Sequence, residues 1–196
     1  MITRRGLLQS GTAALSASVL GVGPFAARAS ATPTRAHIPR IDKVLYDRRF
    51  AQATAFGLEA ARAGLATRPF DGDVTALWYH ELYSQWRERP TPIAGMTGQG
   101  AIFCLERLAW DVGMRVTFRV DHKALEDGSV EHIPGSHAAA GVTLALRKAG
   151  PQWARESARL LTRATPGVVS PSGPHQDADP LGMPLLVSWV IAPRQV

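Results

Sequence analysis

Four groups of side chains in this chain have the types and spacing for chemistry. The first is Gly95-Met96-Thr97-Gly98-Gln99-Gly100, which opens an amphipathic run; exposed backbone amides at such a point bind anions. The second is the acid–base pair of types Asp47-Arg48-Arg49, the third is Asp71-Gly72-Asp73, and the fourth is Asp121-His122. Arginine suits a carboxylate or phosphate because its planar fork can donate two parallel bonds. Histidine is the side chain tuned to exchange a proton near neutrality.

Common cofactor motifs are missing from this set. A phosphate loop of the Walker kind ends in Gly-Lys-Ser/Thr, and no such ending follows Gly98. A dinucleotide fold carries its three-glycine fingerprint after the first strand, whereas this glycine turn follows the third apolar run. No Cys-x-x-Cys-His is present, so there is no motif for NAD, a nucleoside triphosphate or covalent haem. Cys104 is the single cysteine; Ile102, Phe103 and Leu105 flank it, and it reads as a core residue. His122, His132 and His137 fall on turns around a hairpin-like segment and could converge with Asp121 on a metal, although a surface position is the commoner outcome for each. Their spacing matches no zinc motif, and no metal site is assigned. Asp73 and Gly98 also have ordinary roles, as a helix cap and a turn residue.

These groups need elements to position them. Ile41–Tyr46 reads as a strand, and an alanine-rich helix with Phe50, Ala53 and Gly57 on one face follows to Ala63. Leu65–Phe70 reads as a second strand, with Pro69 marking either an edge or a strand end. Asp73 caps a helix with Val74, Leu77, Trp78, Leu82 and Trp86 as its apolar stripe, stopped by Pro90. A short strand at Ile93 leads through the glycine turn into a helix with Ile102, Leu105, Leu108, Ala109 and Val112 on its buried side. Met114–Val120 is a fourth strand. Strand and helix alternate three times. That pattern predicts an α/β three-layer sandwich with a mainly parallel sheet, Rossmann-like or flavodoxin-like.

Beyond His122 the rhythm breaks. Lys123–Gly128 reads as a turn and Ser129–Ile133 as a short strand. Residues 137–149 fit either a helix or a strand, and Pro151 suits the first turn of a helix over Gln152–Arg163. Thr165–Pro184 reads as a long surface loop, and Leu185–Ile191 as a C-terminal edge strand between prolines. In a parallel sheet the four strands end on one rim. That rim would gather Arg48, Arg49, Asp71, Thr97, Gly98, Gln99, Asp121 and His122 as a ligand site.

The chain has 196 residues, 45% hydrophobic and 19% charged, which is ordinary globular composition. Its first 31 residues stand apart. Thr3-Arg4-Arg5-Gly6-Leu7-Leu8-Gln9, a weakly apolar stretch over Gly11–Val22, and small-x-small sites at Ala27–Ala29 and Ala29–Ala31 resemble a twin-arginine (Tat) export signal. Leu7 and Gln9 replace the commoner Phe and Lys. The resemblance implies export of a folded protein to a bacterial periplasm, with its own cofactor or attached to a partner. It divides the chain into a signal peptide over 1–31, an exposed leader over 32–40 and a single α/β domain over 41–196. The apolar stretch is shorter than the ~20 residues of a membrane span, so none is expected after signal removal.

Without Arg4, Arg5 and Arg28 the formal charge falls from +6 to about +3, with no lysine block, which speaks against nucleic acid as a partner. One cysteine excludes an internal disulfide, so the fold rests on its hydrophobic core. Two functions fit. One is a periplasmic accessory or small-ligand-binding protein, with a co-exported partner or a small anion as its ligand. Five tryptophans and the His175-Gln176-Asp177 loop would then supply contact surface. The alternative is a small enzyme in which His122 is the base, Arg48 or Arg49 clamps an anion, and the Thr97–Gln99 amides stabilise charge.

Overall fold

The computed structural model describes residues 40–135, 140–162 and 185–194. The signal-like segment, most of the leader, His137 and the 165–184 segment with His175 lie outside the described residues. The chain begins with β1 (Lys43–Asp47), α1 (Ala51–Arg62) and β2 (Ala66–Phe70). Gly64, at φ +84°, closes α1: its own N–H reaches the Ala61 carbonyl, and the Leu65 N–H reaches that of Ala60. This paired closure needs a left-handed residue where glycine stands.

Next come α2 (Thr75–Leu77), a π-helical turn over Trp78–Leu82 and α3 (Tyr83–Glu88), which form one continuous helical rod. Val74 is the N-cap of this rod, one residue beyond the expected Asp73, whose Oδ1 accepts the Thr75 N–H at 2.8 Å just ahead of the helix. The predicted stripe of Val74, Leu77, Trp78, Leu82 and Trp86 is buried. Then follow β3 (Ile93–Gly98), α4 (Gln99–Asp111), β4 (Met114–Ala124) and β5 (Val130–Pro134). The segment left open between helix and strand is helical: α5 spans Ala140–Ala149. A 3₁₀ turn (Gly150–Gln152) carrying Pro151 leads into α6 (Trp153–Thr162), and β6 (Leu185–Pro193) completes the set.

The protein is α/β, with one open six-stranded sheet in the order β2-β1-β3-β6-β4-β5. β2, β1 and β3 are parallel, as their helical crossovers require, and β2 is at the edge, the first of the two positions that suit Pro69. The remaining ladders, β3–β6, β6–β4 and β4–β5, are all antiparallel. The expectation of a mainly parallel, Rossmann-like or flavodoxin-like sheet is therefore corrected: two of five pairings are parallel and the sheet is mixed. The alternating rhythm reports connections between successive strands. It carries no information about a later strand inserted between them.

That later strand is β6, and the predicted edge position is also corrected. β6 lies inside the sheet, between β3 and β4. Its composition explains this. Leu186, Val190 and Ala192 pack on one face of the sheet, while Val187, Trp189 and Ile191 pack on the other. A strand apolar on both faces belongs under helices on both sides. Pro193 is its last residue, opposite Met114, where a missing N–H breaks no inner rung.

Each face has its own core. α1 and α6 cover one, with Phe56, Met96, Val120 and Trp153; the α2–α3 rod and α4 cover the other, with Leu45, Trp86, Ile102 and Trp189. Gly95 is part of this packing. It stands inside β3, where a Cβ would fall 2.4 Å from the Trp189 ring and 2.9 Å from the Leu45 carbonyl. The glycine segment is thus mostly strand, and the turn into α4 begins only at Gly98.

Candidate anion cleft at the strand ends

β1 and β3 are neighbours whose connections part: α1 leaves to one face and α4 to the other. Their carboxyl ends therefore diverge at a topological switch point, where open α/β sheets bind ligands. Asp47, the last residue of β1, is fully buried there. It receives the Arg49 guanidinium through two bonds, Nε–H to Oδ1 at 2.9 Å and Nη2–H to Oδ2 at 2.7 Å. Hydrogen bonding to Asp47 raises the guanidinium pKa above its usual value. Gly72 lets this side chain through, since a Cβ there would lie 1.9 Å from Arg49 Nη2.

Between Arg49 and the start of α4 lies an open cleft of about 600 Å³. Val74, Ala101 and Leu108 give it an apolar wall, Gly98 and Gly100 form one lip, and Arg49, Asp73, Thr75 and Arg107 are its polar groups. Gly98 is the N-cap of α4 and has no side chain to bond the first-turn amides, so they point outward at the positive end of the helix. Backbone amides and two guanidiniums beside an apolar wall have the chemistry that suits an anionic group, with the Asp73 carboxylate set against them on the same lining.

Phe103 and Cys104 also line the cleft. Cys104 is exposed, which corrects its reading as a core residue. Its sequence neighbours misled because helix faces alternate every three to four residues: Ile102, Leu105 and Ala109 face the sheet, while Phe103, Cys104 and Arg107 do not. Gly100, Cys104 and Arg107 follow at helical spacing from the glycine lip, and that spacing is the signal by which sequence reasoning could have placed Arg107 here.

The residues picked from sequence are distributed as follows. Arg49 and Gly98 line the cleft. Arg48 lies beside it, in a forked pair with Asp71 at the exposed rim; the pairing lowers the Asp71 pKa and raises that of Arg48. Gln99 begins α4, half-buried. Thr97 is fully buried, its Oγ1 accepting the Trp189 indole N–H at 3.1 Å. Asp121 is buried in a pair with Arg119, Nε–H to Oδ1 at 2.8 Å, and Arg119 Nη2 has no hydrogen-bond partner.

His122 stands level with Gly98 across β6, both opposite Leu186, and its side chain lies on the Leu186 face of the sheet, away from the α4 face that carries the cleft. A bulge in β4 is responsible. Val116 pairs with Ile191 and Phe118 with the adjacent Val190, so Thr117 is an extra residue that reverses the alternation beyond it. Met114 and Val116 pack under α4, whereas Phe118, Val120 and His122 turn toward α6. There His122 is 2% exposed, with Nε2 at 2.9 Å from Ser188 Oγ and Nδ1 at 2.9 Å from His132 Nδ1. The Trp153 ring lies 4.3 Å from it. Burial pushes the His122 pKa well below its usual value; burial and the charge of Arg147 bring His132 down to about 4. The proposed base and the arginine clamp thus occupy opposite faces of the sheet.

Among the described residues no group of three His, Cys, Asp or Glu is placed to hold a metal ion, and no helix is long and apolar enough to cross a membrane. Four of the five tryptophans are core; Trp110, 42% exposed, is the one available as contact surface. Comparison with protein-family models, curated proteins and solved structures finds no match to this chain.

Proposed function

We propose that this chain is an exported accessory protein that binds a small ligand through an anionic group in the cleft at the ends of β1 and β3. The observation that carries the reading is the convergence there of Arg49, Arg107 and the uncapped amino end of α4. Arg49 is already oriented by Asp47, so little freedom is lost when an anion docks. The apolar wall favours a ligand with a hydrocarbon body over a bare ion.

The twin-arginine segment, Arg4-Arg5 before Leu7-Leu8, supports export to the periplasm and travel with a co-exported partner. Titration calorimetry with phosphate and with short-chain carboxylates tests the cleft. Arg107→Gln should weaken binding by about tenfold, as expected for one charge-assisted bond, while Arg48→Gln should leave it unchanged. Equal binding by the wild type and Arg107→Gln would remove the cleft from the account. Export is tested separately: replacing Arg4 and Arg5 together by lysine should keep the precursor out of the periplasmic fraction.

A further inference from the structure

The cleft continues onto the outer face of α4. Phe103, Arg107 and Trp110 recur there at helical spacing, with Phe103 52% and Trp110 42% exposed. The Arg107 guanidinium lies 5.4 Å from the centre of the Phe103 ring and 4.4 Å from that of Trp110. Arg115, near the start of β4, lies 5.5 Å from the Trp110 ring. Arg48, Arg49, Arg119 and Arg159 are each held by a carboxylate. Among the described residues neither Arg107 nor Arg115 has one. Stacking engages the flat face of a guanidinium and leaves the N–H edge of Arg107 available for a carboxylate; Arg115 spends Nη1 on the Met114 and Trp110 carbonyls, at 2.7 and 3.3 Å, and keeps its Nε and Nη2 donors. Isolated exposed aromatics need no explanation, but a row of Phe, Arg, Trp and Arg running out of a cleft has the composition of a binding hot spot.

We propose that this row is a docking strip for an acidic, aromatic-bearing peptide segment of a partner protein, whose leading carboxylate enters the cleft. The proposal rests on the anion-binding reading of the cleft and names its occupant. Charge complementarity selects a peptide. Asp73 in the cleft and Asp111, next in sequence after Trp110, interleave negative charge with the guanidiniums, a mixed pattern that a uniformly charged polyanion such as nucleic acid does not match. A peptide alternating acidic and aromatic side chains presents carboxylates only at the guanidiniums. Phe103 to Trp110 spans about 10 Å of helix, so about three extended residues cover it and about six reach the cleft.

The test uses the full chain and a fluorescein-labelled hexapeptide alternating Glu and Phe with a free carboxyl end. Its controls are the same peptide with Lys for Glu, a thymidine hexanucleotide, and inorganic phosphate. Peptide binding is read by anisotropy. Cleft occupancy is read by protection of Cys104, the single cysteine, from iodoacetamide. The acidic peptide should bind and protect Cys104, and the lysine peptide should not. Trp110→Ala and Arg115→Gln, both outside the cleft, should each weaken the peptide about tenfold and leave protection by phosphate unchanged. Unchanged peptide affinity in both variants, equal binding of the lysine peptide, or tighter binding of the hexanucleotide overturns the strip. Phosphate protection without peptide binding overturns the strip and leaves the anion cleft standing. Peptide binding lost in Trp110→Ala, with Cys104 protected by the peptide but not by phosphate, supports the strip and overturns only the reading of a free small anion as the cleft's ligand.

Discussion

His122 and His132 share one hydrogen bond between two like nitrogens, so one ring must present a lone pair while the other presents a proton. Both rings are buried beside Trp153 and both have lowered pKa values. An unfolded chain would take up protons on these residues below about pH 6.5, whereas the folded one resists until about pH 4 at His132. The contribution to stability is therefore full above pH 6.5 and is lost as the pH falls toward 4. Thermal unfolding followed across that window should show melting temperature falling with pH, at most about 1.4 kcal/mol per pH unit for each imidazole. His132→Asn should flatten the slope. A slope unchanged in that variant would mean that other groups set the acid sensitivity.

At the level of elements, a tight requirement that includes backbone is the crossing of β1, β3 and β6 at Leu45, Gly95 and Trp189, which are register partners. Gly95→Ala would drive a methyl into the indole and against a backbone carbonyl that cannot retreat. It should cost about 1–3 kcal/mol, measured by chemical denaturation, whereas Gly100→Ala, with open space around it, should cost little. Such requirements mark what was legible in sequence. Helix stripes, the Asp73 bond ahead of the rod and the parallel β1–β2–β3 unit follow from local periodicity and connection length, and all were readable. So was the gathering of Arg49 and Gly98 at strand ends. The face of His122 was not, because one extra residue at Thr117 inverts the alternation and the bulge leaves no mark in composition. Cys104 and Arg107 were hidden differently: their helix was read for its buried side, and the cleft lies on the other.

For the whole molecule, the place of β6 dominates. It makes two ladders, to β3 and to β4, and joins β2-β1-β3 to β4-β5. A chain ended at residue 184 should lack cooperative unfolding and near-ultraviolet dichroism, and added β6 peptide should restore both in part. Native dichroism in the truncated chain would show that the two half-sheets hold together without it. The missing rungs cannot be supplied locally, because both half-sheets would expose inner edges with unpaired backbone groups.

β6 is also the last of the six strands to leave the ribosome. Until it emerges, the two halves of the sheet have no common border, so pairing across the whole sheet waits on residues 185–193. If the chain travels a route that accepts only folded cargo, a prematurely ended product would be held back by its own open sheet. The strand expected at an edge is then the one whose arrival lets the two half-sheets meet.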